Sequence, residues 1–447
     1  MKMTCRLLSA LALLSVPAAA TADTSVSSTT MLRFFQDPRP GFATRELAPA
    51  AQFLNIDTDK LGDGNLSLHL SGWGRLDMAD KSYNGDRADG SLAYGFLKYQ
   101  LQQANAQVRA GRFSVREGVL NEDLDGVSAH TDLPLGFGIT AFGGATVHTA
   151  NIASEPTDGK GDGIFGGRIN YRYRGMLELG LSGVYESAAP SLSVPSHTTL
   201  ENGGRLGSHR IVGGDVWLAP FTAVELIGHT SYNTETERVA DHSYLLNIKP
   251  AKDVIVTGEF SEQHDRSFFY SSSMFASMLA GLNEKSRSLG GRASYTLFKG
   301  VECAADYHHY TRDIGNADRF GGDLRVSMND NTLRSGLSYH YLRAGSGFAV
   351  VPLTGASASY HELRGYVMRD TSSYFAALDI IGFFFNDRID NVQNAWELSS
   401  SVGYRFTPAL TLSGDLSYGR NPQYNDDLKG LIRLTYNMNY TSKGGAK

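Results

Sequence analysis

Asn121, Asp123, Asp125 and Asp132 stand where a calcium loop places oxygen ligands, and Gly126 stands where such a loop turns sharply. Oxygens at alternate positions of a tight loop can converge on one cation. The match is incomplete, because the twelfth position carries an aspartate with less reach than the usual bidentate glutamate. Both flanks also read as strands, so an acidic hairpin loop is the simpler reading and no metal site is expected. Just upstream, Arg109, Arg112, Arg116 and Glu117 are interleaved with Gly111, Phe113 and Val115. The alternation slips there, which predicts a bulge or bend. Such a charged ladder would either narrow a pore or form a solvated wall, and the wall is the simpler reading. His308 and His309 are adjacent, so a strand points them to opposite faces and they cannot share a metal. The sequence has no covalent haem-attachment motif, no zinc-protease motif, no nucleophile elbow and no phosphate-binding loop. Nothing in it speaks for catalysis, and the chain reads as a non-enzyme.

The element that positions these charges is a strand with a two-residue period. Leu66, Leu68, Leu70, Gly72, Gly74, Leu76 and Met78 alternate with Ser67, His69, Ser71, Trp73, Arg75 and Asp77. The final segment sets Leu428, Gly430, Ile432, Leu434, Tyr436, Met438 and Tyr440 on one face, against Arg433, Thr435, Asn437 and Asn439 on the other. Helical spacing would mix the two sets. Many such segments, joined alternately by short and long connections, are how an outer-membrane barrel is written in sequence. The fold class is therefore all-β: a transmembrane antiparallel β-barrel of about 20 strands, with periplasmic N- and C-termini.

Tight turns are expected near 102–106, 134–136, 174–175, 220–221, 250–253, 299–300, 329–331, 371–373 and 407–409. Longer loops are expected at 80–89, 118–126, 148–163, 189–207, 234–240, 266–286, 314–317, 345–356, 388–393 and 422–427. In the loop 266–286, Phe275, Met278, Leu279 and Leu282 recur at helical spacing, which suits a helix capping the rim or a constriction folded inward. The residues expected to line the pore are Arg75, Asp77, Arg109, Arg112, Arg116, Arg168, Arg172, Glu178, Asp215, Glu225, Arg292, Glu302, Asp306, Asp323, Arg325, Arg334, Arg405, Asp415 and Arg433. An arginine turned toward lipid at mid-membrane would cost about 2–4 kcal/mol, and the lumen avoids that cost. Both signs occur, so no single-sign filter is expected.

Lys2 and Arg6, an apolar run from Leu7 to Val16, and Ala20-Thr21-Ala22 before Asp23 form a secretory signal, residues 1–22. Its removal leaves 39 basic against 46 acidic residues, which gives no footprint for nucleic acid. Cys303 is then the sole cysteine, and its parity with Val301 and Ala305 turns it toward lipid. No apolar run reaches the roughly twenty residues of a membrane helix. Residues 23–64 hold Pro38, Pro40, Pro49 and an acidic run, and read as a periplasmic or lumen-entry segment; the barrel is expected over 65–447.

Several stretches carry a family resemblance. Residues 34–42 (Phe-Phe-Gln-Asp-Pro-Arg-Pro-Gly-Phe), 61–68 (Leu-Gly-Asp-Gly-Asn-Leu-Ser-Leu) and 71–75 (Ser-Gly-Trp-Gly-Arg) are similar to the opening of outer-membrane channels from dissimilatory metal-reducing bacteria. Ala110 to Phe113, Asp125 to Ala129 and Thr131 to Pro134 extend it, over about a quarter of the chain. Those channels are the porin-like member of porin–cytochrome conduits. The resemblance implies periplasmic and extracellular multihaem c-type cytochromes as partners, with haem on the partners and no cofactor in this chain. It implies no catalytic residues.

Two functions suit a Gram-negative outer-membrane barrel of this size. One is a sheath filled by a cytochrome for electron transfer. The other is a general diffusion porin for ions and small solutes. Periodicity alone does not separate them, since both need a polar lumen inside an exterior facing outer-membrane lipid; the resemblance favours the sheath.

Overall fold

The computed structural model describes residues 23–37, 45–62, 64–80, 87–147, 163–187, 209–234, 237–263, 285–312, 315–345, 359–389, 391–422 and 424–440. Among them, all regular structure is extended except two three-residue 3-10 turns, Gln102–Ala104 and Pro134–Gly136. A strand leaves its backbone N–H and C=O groups pointing sideways, and lipid offers them no partner, so a spanning sheet has to close on itself. Of the 23 strands, 22 form that closed antiparallel ring, with sequence neighbours paired in order. The first, Asp23–Asp37, pairs on one edge with Pro49–Leu61 and on the other with the last, Tyr424–Tyr440. Thr24 lies opposite Tyr440 and Phe34 opposite Gly430 along this seam. The remaining strand, Arg45–Leu47, pairs with the end of the first.

From Leu66–Asp77 onward there are twenty strands, the expected number. Residues 23–64 correct the expectation: they are not a lead-in but supply two more strands of the wall, Asp23–Asp37 and Pro49–Leu61. Polar residues at some of their outward positions, Ser28, Thr30 and Gln52, interrupt the apolar set and hid the period. Thr30 Oγ1 donates to Gln52 Oε1 at 2.5 Å and Gln52 Nε2 to Ser28 Oγ at 2.7 Å, so these outward groups satisfy one another. The predicted signal, residues 1–22, lies outside the described residues.

The tight turns fall at or next to their predicted positions, on the end of the barrel that also carries both strand termini, Asp23 and Tyr440. The other end differs from expectation. The loops placed at 314–317, 388–393 and 422–427 are mostly strand, joined by two-residue links, and 118–126 is the tip and returning strand of a hairpin. On the outer face, large apolar side chains stand exposed, with Leu181 at 72% and Val402 at 62%. So much contiguous apolar surface needs lipid against it. Cys303 shares that face with Tyr295, whose carbonyl lies 3.6 Å from Sγ.

Candidate functional site

Among the described residues, one hairpin enters the lumen. Strands Ala106–Glu117 and Leu120–Asp132 outrun their neighbours, because pairing to Ala88–Leu101 ends with Arg112 opposite Gly95 and pairing to Phe137–Thr146 ends with Leu124 opposite Thr146. Beyond those points the hairpin leaves the wall. Gly111, with φ at 129°, makes the bend, and a side chain there would strike the Gly95 carbonyl. This is the slip in alternation visible in the sequence.

The hairpin turns inward. Phe113, Val115, Val119, Leu120 and Leu124 pack on Phe142, Ile164, Val184 and Ile211 of the inner wall, all nine buried. Its tip reaches three strands further: Gly118 lies against Arg168, Ser182 and Asp215, and the Val119 N–H donates to Ser182 Oγ at 3.4 Å. Thr140 Oγ1 donates to Glu117 Oε2 at 2.6 Å. The opposite face stays polar. There Arg112 holds Asp125 through two bonds of 2.7 Å, Ser114 donates to Asp123, and Arg116 is exposed.

Beneath the tip, Arg168 is buried between two carboxylates. Its Nη2 donates to Asp215 Oδ1 at 2.5 Å and to Glu178 Oε1 at 2.9 Å. Arg172 extends the chain, with Nε donating to Glu178 Oε2 at 3.0 Å and Nη1 to Asp132 Oδ1 at 3.3 Å. This arrangement overturns the calcium-loop reading. Asn121, Asp123, Asp125 and Asp132 lie along one extended strand, which separates its ends by roughly 36 Å. Asp125 and Asp132 bond to arginines instead.

The ladder register keeps the other predicted pore residues on the face opposite the exposed apolar set. Arg75 lies 3.6 Å from Asp77, Arg109 stands 5.9 Å from the Phe113 ring centre, and Glu225 accepts from Trp217 Nε1 at 3.0 Å. Glu302 is opposite Arg325. Arg405 reaches Asp370 at 2.9 Å, Arg334 reaches it at 3.8 Å, and Arg433 lies 3.7 Å from Asp415. Phe275, Met278, Leu279 and Leu282, the expected constriction, lie outside the described residues; among the described ones the narrowing element is the hairpin.

Sequence reasoning placed Asp306, Asp323 and Arg292 on this wall but did not join them to Glu259, Arg319, Glu362 or the bidentate Arg364–Asp379 pair. The register brings these together: Arg292 is opposite Asp306, and Arg319 opposite His308. His308 bonds to Glu259 in the lumen, whereas His309 takes Asp318 on the other face, as the strand geometry requires.

No family model matches the chain, and no curated protein matches it. Solved structures do. The siderophore receptor PirA of Pseudomonas aeruginosa superposes with a TM-score of 0.58 at 10% identity, over 93% of this chain and 80% of that one. PirA of Acinetobacter baumannii gives 0.56 at 12% identity, with the same coverage. The ferric enterobactin receptor PfeA of Pseudomonas aeruginosa gives 0.55 at 10% identity, again over 93% and 80%. At such identities the likeness is one of fold. With the lipid-ready exterior, it makes this chain a β-barrel of the Gram-negative outer membrane, and the short-turn end with both termini is the periplasmic one.

Proposed function

We propose that this barrel is the outer-membrane sheath of an electron conduit, enclosing multihaem c-type cytochrome supplied by periplasmic and extracellular partner chains. The observation that carries the reading is the ratio of wall to filling. Barrels of about 16–18 strands already leave an aqueous channel, and 22-stranded ones are plugged. Here 22 strands surround, among the described residues, one inward hairpin. The longest internal stretches outside the described residues, 188–208 and 264–284, hold 21 residues each, well below the size of a domain that folds alone. A second chain is the natural occupant of the space that remains.

The similarity of residues 34–42, 61–68 and 71–75 to porin–cytochrome channels gives that occupant its chemistry. The barrel would hold the cytochrome in place and keep lipid from its haem edges, while the haem itself stays on the partner. The test is haem absorbance and haem-stained gels on the protein drawn gently from its native membrane. Stoichiometric multihaem cytochrome is the expected result. A haem-free folded barrel that conducts ions would replace the sheath with a diffusion porin.

A further inference from the structure

The wall between strands Val254–Gln263 and Tyr360–Asp370 holds a cluster that the hairpin does not cover. His340 Nε2 lies 2.9 Å from Asp306 Oδ1, and Asp323 joins them, so that one ligand atom from each of the three falls within 4.8 Å of the others. The His340 side chain is 7% exposed and that of Asp306 is 3%. His340 Nδ1 is buried without a hydrogen-bond partner, and the Glu362 carboxylate stands 3.9 Å from it.

That last placement is informative. If Nε2–H donates to Asp306, a neutral ring turns the bare lone pair of Nδ1 toward a carboxylate, which is repulsive. If Nε2 instead binds a metal, the proton sits on Nδ1 and points at Glu362. A ligating histidine usually has this arrangement, donating its other N–H to a carboxylate. Arg319 Nη1 lies 3.3 Å from Asp306 Oδ2, and Arg292 bridges the two carboxylates, with Nη2 2.6 Å from Asp323 Oδ2 and Nη1 3.8 Å from Asp306 Oδ1, so a cation entering here loosens only the longer of the two Arg292 contacts. Asp306 Oδ1, the oxygen that faces His340 Nε2, is the one a shared cation would take.

We infer that Asp306, Asp323 and His340 form a lumen site for a divalent first-row transition cation, with Glu362 orienting the imidazole and Arg292 and Arg319 holding the carboxylates. One nitrogen and two oxygens suit zinc, cobalt or nickel, whereas calcium and magnesium prefer oxygen alone. Ligand atoms sharing a zinc stand roughly 3–3.5 Å apart, given bonds of about 2.0–2.1 Å, so the 2.9 Å pair needs little movement. Three protein ligands leave a position open to the lumen. The inference goes beyond the sheath reading and holds whatever fills the barrel.

The test titrates the full-length barrel, folded in detergent, with Co²⁺ and then Zn²⁺. One Co²⁺ per chain, displaced by Zn²⁺, is expected. His340→Ala and Asp323→Asn should each weaken it at least tenfold, while His229→Ala, elsewhere on the wall, should bind as the wild type does. X-ray absorption at the zinc edge of the wild-type protein needs no variant to fold, and should show one imidazole among oxygen ligands. Absence of stoichiometric binding, binding unchanged in His340→Ala, or two or more imidazoles on the zinc would overturn the site.

Discussion

Arg168 and Asp306 are both buried charges on the inner wall, but different things cover them. Arg168 lies under the hairpin tip, beside an apolar seal that runs from Phe113 to Ile211. Asp306 is covered by its own partners, Arg319, His340 and His308, with no apolar layer from the hairpin above them. In the first region the charges are shut into a low-dielectric brace, where losing a partner is costly. In the second, the buried charges are closed in by other polar side chains, of which Arg292 and Arg319 stay partly exposed to the lumen. The contrast separates what holds the barrel in shape from what can meet its contents.

The largest way to break this contrast is Leu124→Asp. Leu124 is fully buried under the hairpin, and an unpaired carboxylate there should cost at least about 4 kcal/mol of docking. The expected result is a barrel that still shows heat-modifiable migration but conducts more in planar bilayers, because the hairpin leaves the wall. Unchanged conductance would mean the hairpin is not the narrowing element. Next, Arg168→Ala strands Asp215, takes from Glu178 one of its two arginines, and should cost about 3–5 kcal/mol, read as a lower unfolding midpoint. Arg325→Ala in the open half should stay within about 0.5 kcal/mol. A similar shift for both would erase the distinction between brace and open wall. Smaller again, Leu434→Arg on the lipid face should cost about 2–4 kcal/mol and impair assembly, while Arg433→Ala on the lumen face is tolerated. Equal heat-modifiability of the two variants would refute the facing assignment.

Where each strand carries its own contrast, the wall was legible in the sequence. Leu66–Asp77 shows apolar and polar sets cleanly, and its bounds came within one residue of expectation. Asp23–Asp37 was not legible, because Ser28 and Thr30 sit on its outer face and find their partner in Gln52 of the neighbouring strand Pro49–Leu61. Its other edge pairs with Tyr424–Tyr440, a constraint from the far end of the sequence that no local window contains. The hairpin left a partial trace: the slip at Gly111 signalled a bend but not its direction, which depends on Ile164, Val184 and Ile211 offering an apolar floor. The Asp306 cluster was legible in parity and illegible in register, since its members come from several strands.

Gly118→Ala is the finest probe of the same boundary. At φ 64° the backbone is left-handed, which costs a residue with a Cβ about 1–2 kcal/mol. The new methyl would also press on the Asp215 carboxylate and on Arg168 Nε at 3.0 Å. Both penalties fall on the tip and neither on the barrel ladder, so global unfolding should be unchanged while limited proteolysis near 118–119 speeds up several-fold. If the variant instead lowers the unfolding midpoint as far as Arg168→Ala does, then tip and wall are one cooperative unit, and the hairpin is part of the barrel's frame rather than a cover resting on it.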